Sequence, residues 1–310
     1  MSDIIFSEST FLSADGHSNV HYYIWRPANV TPRAVIQLSH GMCEYVTRYD
    51  AWARRFCDAG YAFCGNDHLG HGNTAADEEE LGFTAPRGGD VLLVEDLHTL
   101  TVIIKAEFEG LPVVLYGHSM GSFAARKYLT LYGDEVSAAL ISGTAGPGQP
   151  TAVAKRLANM IAATKGDHHR SKFLTSLAFG SYNRRFAEEK DALSWLTRDE
   201  AVRRAYGEDP FCRFVFTAAG YDTLFSLLHF VSRLAWSRAL PRELPILLFA
   251  GRQDPVGNYG KGVEKVFDRM KEDGCNVRLC LYEGRHEMHN ELDRDKVFSD
   301  ICAYLEEVLV

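Results

Sequence analysis

The stretch VVLYGHSMGSFAARKYL, residues 113–129, decides the fold because a serine stands between two glycines where one pattern gives way to another. Residues 113–116 are apolar and mostly β-branched or aromatic, as in a buried strand, whereas residues 120–129 have helical spacing. A G-x-S-x-G sequence between a strand and a helix is the pattern of a nucleophile elbow; the alternative is an ordinary turn serine. The pattern predicts Ser119 as a nucleophile if other loops supply its partners.

The composition indicates an ordinary globular chain with no nucleic-acid partner. Of the 310 residues, 46% are hydrophobic and 24% are charged, and the net charge of −8 does not suit a nucleic-acid surface. The seven cysteines are scattered and form no C-x-x-C pair, which favours a reducing, cytoplasmic location. The amino terminus, MSDIIFSEST, does not resemble a secretion signal, and no apolar run approaches the ~20 residues of a membrane-spanning helix. Transient contact with a membrane surface stays open.

Strand-like and helical patterns alternate along most of the chain. They alternate between residues 34 and 143 and again from 244 to the end, after an antiparallel hairpin at 4–26. Such alternation is typical of a mostly parallel sheet with helices on both faces. The interval 145–240 is helical instead and lies between segments that contain Gly or Pro. We therefore predict an α/β core of residues 1–144 and 241–310, with 145–240 inserted as a helical cap.

Two later loops offer the partners that Ser119 needs. A serine hydroxyl attacks at neutral pH only when a base removes its proton, and that base needs an orienting carboxylate. Asp254 follows the apolar run ILLFAG and His286 follows VRLCLY, so both fall at the carboxyl ends of predicted strands. The alternatives are an Asp-Pro turn former and a surface histidine. The competing His289 is expected to open the last helix. The sequence thus predicts catalytic roles for Ser119, Asp254 and His286.

Acyl transfer also needs two backbone N–H groups that bind the oxyanion. The residue after the nucleophile, Met120, supplies one of them. The other is expected from the loop that follows the strand at 34–39, where the sequence reads HGMCEY and Met42 is the best candidate. Only the direction of the backbone matters at these positions, so methionine is acceptable at both.

Five motifs, taken together and in order, carry a resemblance to a known family. They are HGMCEY (40–45), DHLGHGNT (67–74), GHSMGS (117–122), GRQDPVG (251–257) and GRHEMHNE (284–291). As an ordered set they resemble the monoacylglycerol lipase and lysophospholipase branch of the α/β-hydrolases. The resemblance implies a mostly parallel eight-stranded sheet, a triad of Ser119, Asp254 and His286, an oxyanion hole at Met42 and Met120, and no cofactor.

The motif DHLGHGNT departs from the family at one position. It carries Thr74 where the family commonly has serine, and because both offer a hydroxyl we expect no loss of activity. Asp67 and His68 are interpreted as turn and hydrogen-bonding residues. His68 and His71 have a spacing that could bind a metal, but two histidines in a Gly-rich turn are weak support, so no metal is expected.

The cap is expected to set the substrate. Its apolar residues would line a tunnel for an alkyl chain, since each buried methylene contributes about 0.8 kcal/mol. Arg184 and Arg185, in SYNRRF (181–186), are candidates for contact with a glycerol or phosphate head group, or else solvated helix charges. We therefore predict a carboxylic ester hydrolase that acts on a small single-chain lipid ester, either monoacylglycerol or lysophospholipid. Head group, acyl length and oligomeric state stay open.

Two other functions fit the same fold. A proline-releasing serine aminopeptidase would need acidic cap residues to hold a substrate α-amine, and Glu188, Glu189 and Asp191 keep that alternative open. A non-catalytic small-molecule receptor could retain the whole triad. Turnover of p-nitrophenyl esters separates an enzyme from a receptor, and a comparison of acyl esters with amino-acid anilides separates a lipase from a peptidase.

Overall fold

The computed structural model describes residues 3–148, 150–233 and 235–309. Eight strands form one sheet; in chain order they are β1 (Ile4–Leu12), β2 (Asn19–Pro27), β3 (Val35–Ser39), β4 (Ala62–Asn66), β5 (Val113–His118), β6 (Ala138–Ser142), β7 (Ile246–Gly251) and β8 (Val277–Tyr282). The α-helices are α1 (Asp50–Asp58), α2 (Gly89–Glu107), α3 (Met120–Tyr132), α4 (Thr151–Lys165), α5 (Lys172–Phe179), α6 (Glu200–Glu208), α7 (Ala218–Ser232), α8 (Lys261–Glu272) and α9 (Arg294–Val308).

The sheet has the strand order β1-β2-β4-β3-β5-β6-β7-β8. The pairs β1–β2 and β2–β4 are antiparallel, and the remaining neighbours are parallel. This confirms the predicted hairpin and the predicted mostly parallel eight-stranded sheet. Strands β3 to β8 all run in one direction, so their carboxyl ends meet at one edge of the sheet, where open α/β sheets bind ligands.

Helices cover both faces of the sheet, as the alternating pattern predicts. Strand β5 is buried on both sides, with Val113 and Leu115 in one hydrophobic core and Val114 and Tyr116 in the other. Helices α2, α3 and α8 pack into the first core, and α1 and α9 into the second. A strand buried on both faces reads as a continuous apolar run, which is why the sequence shows this strand so clearly.

The chain between β6 and β7 contains α4 to α7, where the sequence predicts a helical cap at 145–240. Helix α4 packs against α7, and α7 in turn packs on α3 and α2 of the sheet domain. We call residues 145–240 the cap segment. The division of this segment from the core as a separate domain stays a prediction. In the parts of the chain that the structure describes, no helix combines the length and apolar character needed to cross a membrane.

Candidate active site

Ser119 stands in a sharp turn between β5 and α3. Its backbone has φ 52° and ψ −122°, a conformation that side chains with a Cβ rarely adopt. The flanking glycines make the turn possible: a Cβ on Gly121 would lie 1.9 Å from the carbonyl oxygen of Ser39, and one on Gly117 would lie 2.7 Å from Cβ of Ala125. The strained serine therefore presents its hydroxyl at the amino end of α3, where the helix dipole favours negative charge.

The three residues predicted from separate loops lie in one hydrogen-bonded row. Nε2 of His286 lies 2.8 Å from Oγ of Ser119, and Nδ1 of His286 lies 3.0 Å from Oδ2 of Asp254. The other carboxylate oxygen of Asp254 accepts a hydrogen bond of 2.8 Å from the Val256 N–H. Asp254 is fully buried and His286 nearly so. The row joins a hydroxyl to a base and that base to a carboxylate, which is the arrangement that activates a serine.

The environment of His286 favours its charged form. Burial of the ring lowers its pKa, but the Asp254 carboxylate more than offsets this, so the pKa lies above the ordinary value of 6.5. The ring fits only because position 143 is a glycine: a Cβ on Gly143 would lie 2.9 Å from Cε1 of His286, and its φ of +58° is in the left-handed region.

His289, the competing histidine, does not open the last helix. It lies in a 3-10 turn, Met288–Asn290, whereas α9 begins at Arg294. Its ring is buried and stacked on Tyr49, with ring centroids 4.5 Å apart. Burial lowers the pKa of His289 to about 3, which keeps the ring neutral behind the row of Ser119 and His286.

The loop after β3, where the sequence predicts an oxyanion hole, lies directly against Ser119. A Cβ on Gly41 would be 3.0 Å from Cβ of Ser119, and Met42 and Met120 line the same cleft as Ser119. The Gly41 N–H donates to the Glu44 carboxylate, so this loop turns back on itself. Cys43 has φ 54°, which places the backbone of the loop in a conformation that strongly favours glycine.

A buried ionic network missed by the sequence analysis joins this loop to the histidine loop. Arg48 donates to Glu44 at 2.9 Å and to both carboxylate oxygens of Glu287 at 2.9 and 2.7 Å. Tyr49 also donates to Glu44, at 2.9 Å. Burial would raise the pKa of Glu287, but the paired Arg48 guanidinium lowers it to about 2. The network fixes the loop of Gly41 relative to the residue that follows His286.

The cap segment contacts the histidine loop directly. Arg285 donates to the Glu189 carboxylate through both terminal nitrogens, one at 3.0 Å, and to the Ser194 carbonyl at 2.6 Å. The ring of Trp195 lies 5.0 Å from the ring of His286, centroid to centroid. The Trp195 side chain therefore covers the row of Ser119, His286 and Asp254 on the side of His286.

Two further hydrogen bonds extend this contact along the cap segment. The Glu287 N–H donates to the Leu196 carbonyl at 2.8 Å, and the Thr197 hydroxyl donates to the Asn290 carbonyl at 3.0 Å. The two segments are about 90 residues apart in sequence. Such a contact leaves no local pattern by which the sequence could predict it.

The predicted head-group arginines do not reach the cleft. Arg184 and Arg185 lie on an exposed 3-10 helix, Tyr182–Glu189, that turns their side chains to solvent. Cζ of Arg185 lies 3.4 Å from the ring centroid of Tyr259. As far as the described residues show, other side chains build the walls of the cleft. A head-group role for these arginines stays a prediction.

The acidic residues considered for an α-amine are largely paired with arginines. Glu189 is held by Arg285, and Asp191 accepts a hydrogen bond of 2.6 Å from Nε of Arg203. Glu188 is exposed to solvent. Two of the three carboxylates thus already have a cationic partner.

The motif DHLGHGNT forms the turn that its composition predicts. The buried Asp67 accepts hydrogen bonds from the Val46 and Asn73 N–H groups, at 2.8 and 2.9 Å. The Thr74 hydroxyl donates to the Asp67 carbonyl at 2.8 Å and accepts from the His21 N–H at 2.9 Å. Threonine thus supplies a hydroxyl that bonds the turn to β2.

Two cavities open from Ser119 and share Met42, Phe179 and Trp195 as walls. The narrow cavity, of about 100 Å³, continues between α3, α4, α5 and α7. Its walls are mainly apolar and include Met120, Phe123, Ala154, Leu177, Leu224, Phe225 and Val256. The wide cavity, of about 450 Å³, continues past His286 and Glu287 under residues 192–215 of the cap segment.

Comparisons with known proteins find relatives that match most of the chain. The chain is 29% identical over 303 residues to a monoacylglycerol lipase of Mycolicibacterium smegmatis, covering 96% of each chain. It is 28% identical over 316 residues to human monoglyceride lipase, covering 96% of this chain and 89% of the human protein. The crystal structure of a thermostable carboxyl esterase from Bacillus coagulans, in complex with glycerol, superposes over the full length of both chains with a TM-score of 0.92 at 29% identity.

These matches confirm the α/β-hydrolase fold and the resemblance to monoacylglycerol lipases that the motifs indicated. The chain is an ester hydrolase. A family profile described as serine aminopeptidase, S33, matches residues 30–293. Because this match covers most of the chain, the chain belongs to the Hydrolase_4 family.

Proposed function

We propose that this ester hydrolase acts through an acyl-enzyme on Ser119, with His286 as general base and Asp254 as its orienting carboxylate. The observation that carries the proposal is the continuous row from Oγ of Ser119 through His286 to Asp254, with separations of 2.8 and 3.0 Å. Geometry of this kind lets a neutral imidazole take the serine proton while the carboxylate stabilises the imidazolium that forms.

The reaction then runs in two halves. Nε2 of His286 takes the Ser119 proton as Oγ attacks the ester carbonyl, and the same nitrogen returns that proton to the departing alcohol. Water hydrolyses the acyl-enzyme by the same route. The backbone N–H groups of Met42 and Met120 are proposed to bind the oxyanion, because both residues line the cleft beside Ser119.

The substrate class proposed is a single-chain lipid ester, such as a monoacylglycerol or a lysophospholipid. The narrow cavity suits an alkyl chain because its walls are mainly apolar, with Phe123, Leu224 and Phe225 among them. The relatives from Mycolicibacterium smegmatis and human support the monoacylglycerol alternative, because they carry the names monoacylglycerol lipase and monoglyceride lipase.

A lipid substrate also calls for contact with a lipid surface. Val153, Met160 and Phe173, on α4 and α5, expose 56–57% of their surface, and the neighbouring Leu177 reaches into the narrow cavity. The exposed basic residues Arg156, Lys165 and Lys172 lie on the same two helices. We propose that this part of the cap segment touches a lipid surface transiently while substrate enters.

An aminopeptidase is the second candidate function, because the matching family is described as serine aminopeptidase, S33. An enzyme of that kind needs an unpaired carboxylate to hold the α-amine of its substrate. Glu189 and Asp191 are each paired with an arginine. Glu188 is exposed and is not part of the wall of either cavity at Ser119, which favours the ester hydrolase.

A substrate panel tests the proposal. Monoacylglycerols, lysophospholipids, short p-nitrophenyl esters and amino-acid anilides are assayed with the unmodified protein and with Ser119→Ala. We expect ester cleavage by the unmodified protein only, with anilides untouched. Undiminished ester cleavage by Ser119→Ala, or preferential anilide cleavage, would contradict the proposal.

A further inference from the structure

The two cavities that meet at Ser119 differ in their relation to His286. His286 is part of the wall of the wide cavity, together with Glu287. The narrow cavity extends to the other side, between α3 and the helices of the cap segment. If Ser119 is acylated as proposed above, each cavity holds one half of the ester.

Proton transfer decides which half enters which cavity. The departing alkoxide receives its proton from Nε2 of His286 and must therefore lie on the side of that nitrogen. Nε2 lies 2.8 Å from Oγ of Ser119. The wide cavity is therefore the leaving-group cavity, and the narrow cavity takes the acyl chain.

The size of the leaving-group cavity exceeds what a small polyol needs. Its volume of about 450 Å³ falls in the range of pockets that bind ligands of drug size, about 300–1,000 Å³. The acyl-side cavity is narrower, at about 100 Å³. An alcohol moiety as small as glycerol leaves most of the wide cavity unfilled.

The chemistry of the wall is mainly apolar. Phe179, Leu193, Leu196, Phe214 and Val215 line the cavity on the cap side. Leu196 is buried beside the histidine loop, and Val215 is exposed at the rim. Apolar walls of this kind gain free energy with each methylene that they remove from water.

Most polar groups of the same wall already have partners within the protein. Glu44 and Glu287 are both held by Arg48, and the Tyr221 hydroxyl donates to Oγ1 of Thr175 at 3.0 Å. Arg213 lies exposed at the rim. A phosphate or a polyol in the interior of the cavity would therefore lose hydration without gaining a matching set of partners.

We propose that the leaving-group cavity binds an apolar alcohol moiety, so that the substrates of this enzyme include esters with an apolar group on both sides of the carbonyl. The proposal rests on the proposed function, because it uses Ser119 and His286 as nucleophile and base. It extends the substrate range from monoacylglycerols to esters of fatty acids with long-chain or otherwise apolar alcohols.

A matched ester series tests this proposal. Octanoate esters of methanol, butanol, hexanol, octanol, glycerol and glycerophosphocholine are compared at concentrations below micelle formation. We expect kcat/KM to rise by about two- to fourfold per methylene of the alcohol until the cavity is filled. We also expect both polar esters to fall below the butyl ester. A flat or falling alkyl series, or a glyceryl ester that exceeds the octyl ester, would overturn the proposal.

Two matched variants locate the effect. Leu193→Asn, in the leaving-group cavity, should flatten the dependence of kcat/KM on alcohol length and leave its dependence on acyl length in place. Leu177→Asn, in the narrow cavity, should do the reverse. Equal effects of the two variants on the alcohol series would overturn the assignment of the cavities.

Failure of the proposed function has a different signature. If no ester is cleaved, or if Ser119→Ala cleaves the series as well as the unmodified protein, the nucleophile assignment fails and the inference fails with it. If small esters are cleaved in a manner that depends on Ser119 but the alcohol series is flat, only the inference fails.

Discussion

Nη1 of Arg285 donates a hydrogen bond of 3.0 Å to Oε2 of Glu189, and this pair joins the residue before His286 to the cap segment. The same guanidinium lies over the ring of Phe186, with Cζ 4.2 Å from the ring centroid. Trp195 of the cap segment lies against His286, with ring centroids 5.0 Å apart, so the cap segment contacts both His286 and the residue before it.

Glu189→Gln should therefore weaken catalysis without unfolding the protein. The change removes a charge-assisted pair with the buried Arg285, an effect of about 1–3 kcal/mol on the docked cap segment. We expect kcat/KM for a p-nitrophenyl ester to fall by roughly 5- to 100-fold. Glu188→Gln, at the neighbouring exposed carboxylate, is the control and should behave like the unmodified protein. Equal activities of the two variants would show that the Arg285 pair does not position the site.

Gly143→Ala should displace His286, the proposed general base. The added methyl would meet Cε1 of His286 at 2.9 Å and Cε1 of His118 at 3.1 Å. A shift of about 1 Å in a catalytic group lowers kcat by roughly a hundredfold. Gly110→Ala is the matched control, since Gly110 also has positive φ, +77°, but nothing within 4 Å of the added Cβ. Both variants should lose about 1–2 kcal/mol of stability from strain. A fully active Gly143→Ala protein would contradict the proposed role of His286.

The pH dependence of kcat/KM should report the environment of His286. Only the neutral imidazole can take the serine proton, so activity falls as pH drops below the His286 pKa, which lies above 6.5. Asp254→Asn removes the group that raises this pKa, so the acid limb should move to lower pH. In the same variant, kcat should fall by about 10³- to 10⁴-fold. An acid limb that stays in place in Asp254→Asn would contradict the pairing of Asp254 with His286.

Arg126 joins α3 to both ends of the cap segment. Its buried guanidinium donates to the carbonyls of Ala145 and Val231 at 2.9 and 3.0 Å, and Cζ lies 4.2 Å from the ring centroid of Trp236. The guanidinium also donates a hydrogen bond of 3.1 Å to the Thr144 hydroxyl.

Arg126→Met should loosen the connections between core and cap. Leaving these buried acceptors without a donor costs about 2–4 kcal/mol. We expect Tm to fall by roughly 3–6 °C and protease cleavage to begin near residues 143–150. Lys127→Met, which breaks the more peripheral pair with Asp90, is the control and should cost less than about 1 kcal/mol. Equal losses of Tm in the two variants would show that Arg126 has no special structural role.

The sheet and the row of Ser119, Asp254 and His286 were predictable because their signals are local. Strands β3, β5 and β7 are buried on both faces, and β5 and β7 read as nearly continuous apolar runs. Each residue of the row lies within four residues of the end of a strand. The parallel sheet then brings the three loops together without further information from the sequence.

The contacts around that row were not predictable in the same way. Arg48 pairs with Glu287, 239 residues away, and Arg285 pairs with Glu189, 96 residues away. Neither pair has a fixed spacing, because each depends on how the cap segment and the loops fold over the sheet. The prediction for His289 was wrong for a related reason. Its ring is buried against Tyr49, and the residue belongs to a separate 3-10 turn that ends before α9 begins.

The most direct test is to identify which residue carries the covalent intermediate. The unmodified protein and Ser119→Ala are treated with a fluorophosphonate, digested and analysed by peptide mass spectrometry. We expect one phosphonyl group on the peptide that contains Ser119, and none in the variant, with loss of ester hydrolysis in step with labelling. A label on any other residue, or complete labelling without loss of hydrolysis, would contradict it.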